Sequence, residues 1–258
     1  MDITDFGLHL FALEGKNAIV TGGNTGLGQA FSVALAKAGA NVFVPSLAPD
    51  DGTTQRLIEA AGRRMEFMQA DLTQEGSPKR VIDECVARLG SVDILVNSAG
   101  ICLLDDVDGF DRGKWDPMIA VNLTAAFELA HHASKVMRKQ GHGKIINIAS
   151  LFSFLGGQWS PAYAATKAGI MGFTKAYCDE LAQFNIQVNA IAPGYFATAI
   201  TEATRSNPES DQRITQHIPA DRWGDPADLM GATVFLASRA SDYVNGHVLV
   251  VDGGYLVR

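Results

Sequence analysis

Short apolar runs alternate with helix-length stretches along the whole chain, and the joints between them are rich in glycine. The first run is Asn17–Val20, and the stretch after it, 26–38, carries Leu27, Phe31, Leu35 and Ala38 on one face at helical spacing. Further runs fall at 41–44, 65–70, 92–96, 144–149, 187–192 and 247–251, with helical stretches at 53–61, 78–89, 115–137, 161–182 and 225–238. Such alternation builds βαβ units whose strands pair in parallel beneath helices on both faces. Ile94, Leu95 and Val96 are apolar in succession, as are Ile145 and Ile146. That is the signature of strands covered on both sides. The chain is therefore read as α/β, a doubly wound parallel sheet of about seven strands. No Pro/Ser linker or repeat divides it, so 1–258 is expected to be a single domain. The least regular segment is 193–223, which holds Pro208 and Pro219 and is expected to form a lid or binding loop.

Composition narrows the partners. Apolar residues make up 47% and charged residues 19%, enough apolar mass for a continuous core without staples. The net charge of −7 excludes a broad nucleic-acid or anionic-membrane surface. Cys85, Cys102 and Cys178 have neither C-x-x-C nor metal-site spacing, so no metal is expected and a reducing compartment is. No basic leader and no span of about 20 apolar residues is visible, and the expectation is a cytoplasmic protein.

The first strand runs into Thr21-Gly22-Gly23-Asn24-Thr25-Gly26-Leu27-Gly28 and then into a helix. Glycines let the backbone turn tightly and approach a pyrophosphate, and the helix N-terminus offers free N–H groups and a positive dipole end. Strand, glycine loop and helix in that order point to a dinucleotide site in a Rossmann-type sheet.

Tyr163 and Lys167 stand four apart in a helical stretch, so both side chains lie on one face. A phenol titrates near pH 10, too high for ready proton exchange at neutrality, and a nearby ammonium favours the phenolate. Ser150 ends the fifth strand, at the edge where open α/β sheets hold ligands, and can hold a carbonyl oxygen while Tyr163 moves the proton.

The glycine loop and Ser150…Tyr163-x-x-x-Lys167 together resemble the short-chain dehydrogenases/reductases, and the likeness runs over nearly the whole chain. Asn97-Ser98-Ala99-Gly100 resembles the family's Asn-Asn-Ala-Gly, with serine in place of the second asparagine. Asn122 matches a proton-relay asparagine, and Asp71 a residue that contacts adenine. Pro193-Gly194-Tyr195-Phe196-Ala197-Thr198 resembles the segment that holds the nicotinamide amide, and Val251-Asp252-Gly253-Gly254 the usual ending. The resemblance implies an NAD(P)-dependent oxidoreductase, with Asn122, Ser150, Tyr163 and Lys167 as catalytic residues. It implies a cofactor site at Gly22, Asn24, Thr25, Gly26, Leu27, Gly28, Ser46, Asp71, Leu72, Asn97, Ala99, Gly100, Tyr163, Lys167, Pro193, Gly194 and Thr198. It also implies a homotetramer packed through the long helices.

The end of the second strand usually selects the dinucleotide, a carboxylate for NAD or an arginine for NADP. Here Ser46 and Leu47 carry neither signature, and without a cation for a 2′-phosphate NAD(H) is favoured over NADP(H). Arg56, Asp50 and Asp51 leave the matter open. Within the family the chain most resembles the sugar-acid branch of 2-deoxy-gluconate 3-dehydrogenases and gluconate 5-dehydrogenases. The motifs are Gly143 to Ser150, Leu155-Gly156-Gly157, Arg222-Trp223-Gly224 and Ser241 to Gly246. A small hydroxylated carboxylate would meet Ser150, Gln158, Trp159, Tyr163, Tyr195 and Arg205, with Arg213, His217 and Arg222 as further candidates. The alternatives are a 3-oxoacyl-thioester reductase, which would favour NADPH and a basic carrier patch, and a dinucleotide sensor without catalysis.

Overall fold

Strand geometry sends successive side chains to opposite faces, and in this chain neighbours in one strand enter different cores. In a computed structural model, which describes residues 3–258, Ala18 and Val20 of β1 (Asn17–Val20) face one core and Ile19 the other. The other strands are β2 (Asn41–Ser46), β3 (Met65–Gln69), β4 (Ile94–Asn97), β5 (Gly143–Ile148), β6 (Ile186–Pro193) and β7 (Val248–Val251). They form one parallel sheet in the order β3-β2-β1-β4-β5-β6-β7. Met1 and Asp2, included in the single-domain expectation, lie outside the described residues.

The helices are α1 (Gly26–Lys37), α2 (Thr53–Ala60), α3 (Ser77–Leu89), α4 (Arg112–Met118), α5 (Ala125–Gln140), α6 (Pro161–Leu181), α7 (Glu202–Arg205), α8 (Pro208–His217) and α9 (Met230–Ala237). Phe31 and Leu35 of α1, Ile58 of α2 and Leu236 of α9 pack on one side of the sheet. Val81 and Ile82 of α3, Leu129 and Met137 of α5 and Leu181 of α6 pack on the other. Each such side chain contributes about 2 kcal/mol when fully buried. The sheet is doubly wound and Rossmann-like, as expected, and its polar loops gather at the carboxyl ends of the strands.

Two expected elements differ. The stretch 115–137 is not one α-helix: α4 starts earlier, capped by the Asp111 carboxylate accepting the Gly113 N–H, and a π-turn at Ile119–Thr124 separates it from α5. The segment 193–223 is largely helical. The Asn207 side chain accepts the N–H groups of Glu209 and Ser210, each at 3.1 Å, and Pro208 opens α8. Proline in the first helical turn loses no bond the helix needs, so it marks a helix start here and not irregular chain.

The amino edge of the sheet is tied separately. Asp93 accepts from the Asn17 N–H at 3.0 Å and the Ser91 hydroxyl at 2.6 Å, and its other oxygen lies 2.8 Å from His142 Nε2. This joins β1, β4 and β5 at the end away from the loops.

Candidate active site

The glycine loop is tethered at both ends. The Thr21 hydroxyl oxygen accepts the N–H groups of Ser98 and Ala99, each at 2.9 Å, and so locks the end of β1 to the end of β4. Gly22 sits at φ +63° against Ala99, and a Cβ at Gly28 would land on the Gly22 carbonyl. Only glycine fits both places. Asn24 donates to the carbonyls of Ala48 and Pro49 and so ties the loop to the segment after β2, while its buried Oδ1 has no partner among the described residues. The exposed N-terminus of α1, the close backbone and this open acceptor fit a dinucleotide phosphate and ribose.

The chemical groups meet where β4, β5 and α6 end. Ser150 Oγ accepts the Phe152 N–H at 3.2 Å, which leaves its own proton free to point outward. The Tyr163 phenol contacts that hydroxyl, and its ring meets Phe152 edge-on at 5.9 Å. Lys167 is buried; its ammonium donates to the Ile148 carbonyl at 2.7 Å and stands 5.4 Å from the centre of the Tyr163 ring. Asn122, inside the π-turn, brackets Ile101: its Oδ1 accepts the Ile101 N–H and its amide donates to the Ile101 carbonyl, both at 2.8 Å. A Cβ at Gly100 would lie 3.3 Å from Asn122 Oδ1 and 3.9 Å from Lys167 Nζ, so the lysine, the asparagine and the 97–100 turn share one small space.

Electrostatics here differ from the simple pairing of an ammonium with a phenol. Burial pushes the Tyr163 phenol up to about 12, a neighbouring Cys102 adds to this, and the Ser150 hydroxyl works against it. Burial also pulls Lys167 down to about 8. Desolvation penalises both charged forms, and the ammonium is turned to a carbonyl of β5. The phenol is held in its protonated form, the form that can give a proton to a carbonyl oxygen.

The family model described as enoyl-(acyl carrier protein) reductase matches residues 22–256. The chain is 67% identical over 253 residues to the uncharacterized oxidoreductase YgcW of Escherichia coli (strain K12), covering 98% of this chain and 97% of the relative. It is 46% identical over 250 residues to the 2-dehydro-3-deoxy-D-gluconate 5-dehydrogenase of Bacillus subtilis (strain 168), covering 96% and 97%. Among solved structures, a gluconate 5-dehydrogenase from Burkholderia cenocepacia J2315 in complex with NADP and tartrate superposes with a TM-score of 0.92 at 37% identity, covering 97% of this chain and 99% of that one.

The chain belongs to the short-chain dehydrogenase/reductase family.

As a short-chain dehydrogenase/reductase it is an NAD(P)-dependent oxidoreductase acting on a small molecule. Of the expected cofactor residues, Gly22, Asn24, Thr25, Gly26, Leu27 and Gly28 form the loop at the carboxyl edge, with Ala99 against Gly22, and Gly100 lies beside Asn122 and Lys167. Several of the expected cofactor residues also make contacts within the protein. The Asn97 amide donates to Asn147 and to the Ala126 carbonyl, a buried link between strands and α5. Asp71 accepts from Thr73 and Gln74, which hold its carboxyl below its ordinary range. The Leu72 side chain is in the core beside Val81, and Ser46 is buried at the end of β2. Pro193 and Gly194 end β6 against Asp252, and Thr198 caps the next turn.

On the substrate side, Arg222 is paired with Asp228 at 2.7 Å and is spent there. Arg205 donates to the Thr198 carbonyl at 3.2 Å, and its buried Nε has no partner among the described residues. Tyr195 packs between Trp223 and Tyr255, with His217 against Tyr255. Gln158 and Trp159 are exposed just before α6. The sequence reading missed Ser153, whose hydroxyl donates to the Lys167 carbonyl at 2.7 Å, although Ser-x-x-Ser after a strand is a capping-box signal.

Proposed function

We propose that this enzyme interconverts a secondary alcohol and a ketone on a hydroxylated carboxylate of the sugar-acid class. The carrying observation is the convergence of the Ser150 hydroxyl, whose oxygen is fixed by the Phe152 N–H, and the half-buried, protonated Tyr163 phenol that it touches. A bound nicotinamide supplies or takes the hydride. Ser150 donates to the substrate oxygen and fixes it, and Tyr163 gives that oxygen its proton in reduction and accepts it in oxidation. Lys167 holds a buried positive charge beside the phenol and has N–H groups left for a ribose hydroxyl. Asn122 holds the floor of the pocket through Ile101 and links to Tyr163 through Thr166. The B. subtilis relative's name and the tartrate of the B. cenocepacia structure support a polyhydroxy acid. The buried Nε of Arg205, without a partner among the described residues, supports a carboxylate on that side.

The cofactor reading departs from the sequence expectation. NADP in the B. cenocepacia relative favours NADP(H), and the preference for NAD(H) is without support. In this chain Arg56, lying along Thr53 and Gly52 at the start of α2, supplies a cation near the end of β2. We read the chain as one domain with 193–223 closing over the substrate. The three unpaired thiols favour a reducing, cytoplasmic setting; no described helix is long and apolar enough to cross a membrane. Phe127, 44% exposed, stacks with His131 and Tyr177 across α5 and α6. This aromatic stripe supports self-association through the long helices into a tetramer, which sedimentation would test.

The test of the chemistry is Tyr163→Phe, assayed with NADP+ and NAD+ on a panel of sugar acids, polyols and an acetoacetyl thioester. Turnover is expected only with the hydroxylated acids and to fall by about 10³-fold in the variant with cofactor binding kept. Unchanged turnover would overturn the roles given to Tyr163 and Ser150; a preference for the thioester would move the substrate to the acyl class.

A further inference from the structure

The ending Val251-Asp252-Gly253-Gly254 takes no part in the chemistry of Ser150 and Tyr163. Its two glycines stand at φ +64° and +93° and bring the C-terminal tail close against the far end of the 193–223 segment. A Cβ at Gly253 would lie 2.8 Å from Ile218, and one at Gly254 2.9 Å from Pro219. The Gly253 carbonyl accepts the Ala220 N–H at 3.0 Å, and the Asp252 carboxylate accepts the N–H groups of Gly254 and Leu256 at 2.7 and 2.8 Å. A side chain at either glycine would push the tail away, so this turn is built for close approach.

The turn delivers Tyr255. Its ring centre lies 4.3 Å from that of His217, the last residue of α8, and 5.2 Å from that of Tyr195. Tyr195 in turn meets Trp223 edge-on at 5.4 Å, and the Trp223 indole donates to Asp211 of α8 at 2.7 Å. Arg258 adds a bond to the Gln216 carbonyl at 2.9 Å. One tail residue thus touches both the beginning of the segment and the end of its longer helix. Tyr195 belongs to the pocket. β6 pairs with β5 with Ile191 opposite Ile148, and the Ala149 N–H reaches the Ile191 carbonyl at 2.8 Å. Ser150 and Pro193 therefore come level at the carboxyl edge, with Tyr195 just beyond. The Tyr195 phenol is within electrostatic reach of Cys102, the thiol that also acts on Tyr163 and Lys167.

We propose that Tyr255 is a positioning residue for substrate binding: from the C-terminal tail it fixes the Tyr195 ring at the pocket and holds α8 in place above it. This rests on the reading that 193–223 closes over the substrate, and it names the strut that keeps the segment closed.

The test has a turnover-free arm and a kinetic arm. α8 carries Arg213 exposed, so trypsin reads whether the helix is held. In the NADP+-loaded enzyme, Tyr255→Leu is expected to speed cleavage at Arg213 about tenfold with other sites unaffected. An unchanged rate at Arg213, or a rise at every site together with a lowered Tm, overturns the strut. Arg258→Ala, an exposed change that leaves the rings packed, is expected to give a smaller rise at the same site; it decides the matter if Tyr255→Leu does not fold, and no rise there overturns the strut. In the kinetic arm, with the sugar acid turned over fastest, Tyr255→Leu is expected to raise KM about tenfold with kcat within about twofold, and Tyr255→Phe, which keeps the ring, to bring KM back within about threefold of the wild type. Parallel losses of kcat and dinucleotide affinity, or a Phe variant as poor as the Leu variant, overturn the role of the ring. If no sugar acid is turned over, the substrate reading fails while the trypsin arm still decides the strut.

Discussion

The Ser153 hydroxyl donates to the carbonyl of Lys167 at 2.7 Å and itself receives the N–H of Ser150 at 3.3 Å. One small side chain thus sets the distance between the loop carrying the substrate-holding hydroxyl and the helix carrying the ammonium. Ser153→Ala is expected to lower kcat about tenfold with a small change in KM, since the reacting groups remain but their spacing loosens. Steady-state kinetics on the best sugar-acid substrate would measure it, and a purely structural role would instead appear as a lowered Tm with kcat intact.

Lys167 sets a pH signature. Its buried ammonium titrates near 8, below the 10.5 of an exposed lysine. Between those values the unfolded chain binds more protons than the folded one, so this group makes the protein more stable as pH rises through that window. Denaturant melts at pH 7.5 and pH 9.5 should therefore reveal a gain in the wild type that Lys167→Met lacks. Tyr163 runs the other way: its folded value is raised to about 12 from 10.0, so its contribution is lost as pH climbs above 10.

Thr21→Val keeps the shape of the side chain and removes the acceptor for the Ser98 and Ala99 N–H groups. The Ala99 N–H is left without a partner at a cost of about 1–3 kcal/mol, while Ser98 keeps the Val96 carbonyl at 3.1 Å. A lower Tm is expected, with weaker dinucleotide binding by calorimetry, because the β1 and β4 loops no longer share a pin.

Gly28→Ala drives a methyl group into the Gly22 carbonyl. Backbone cannot yield as a flexible side chain does, so the loop must open and the phosphate site with it. A loss of dinucleotide affinity of at least about a hundredfold is expected, measured by fluorescence titration, with the sheet retained by circular dichroism.

What could be read from the chain alone was whatever depends on local spacing. The alternation of apolar runs located all seven strands, and the i, i+4 pair Tyr163 and Lys167 falls on one face of α6. Long-range choices were hidden. Nothing near Lys167 tells that its ammonium turns to Ile148, which is nineteen positions away and on another element. The prolines of 193–223 suggested loose chain because proline breaks helices from within, while Pro208 begins one.

The central pairing of β1 with β4 has a consequence for biogenesis. Ala18 finds its neighbour in Ile94, and the glycine loop meets its counterwall only then. During synthesis the first strand, its turn and two further strands leave the ribosome before the pocket's other half exists. Such non-local closure is slow, so the nascent enzyme acquires its nucleotide late, and free dinucleotide in the cell rewards only chains that have already brought distant segments together.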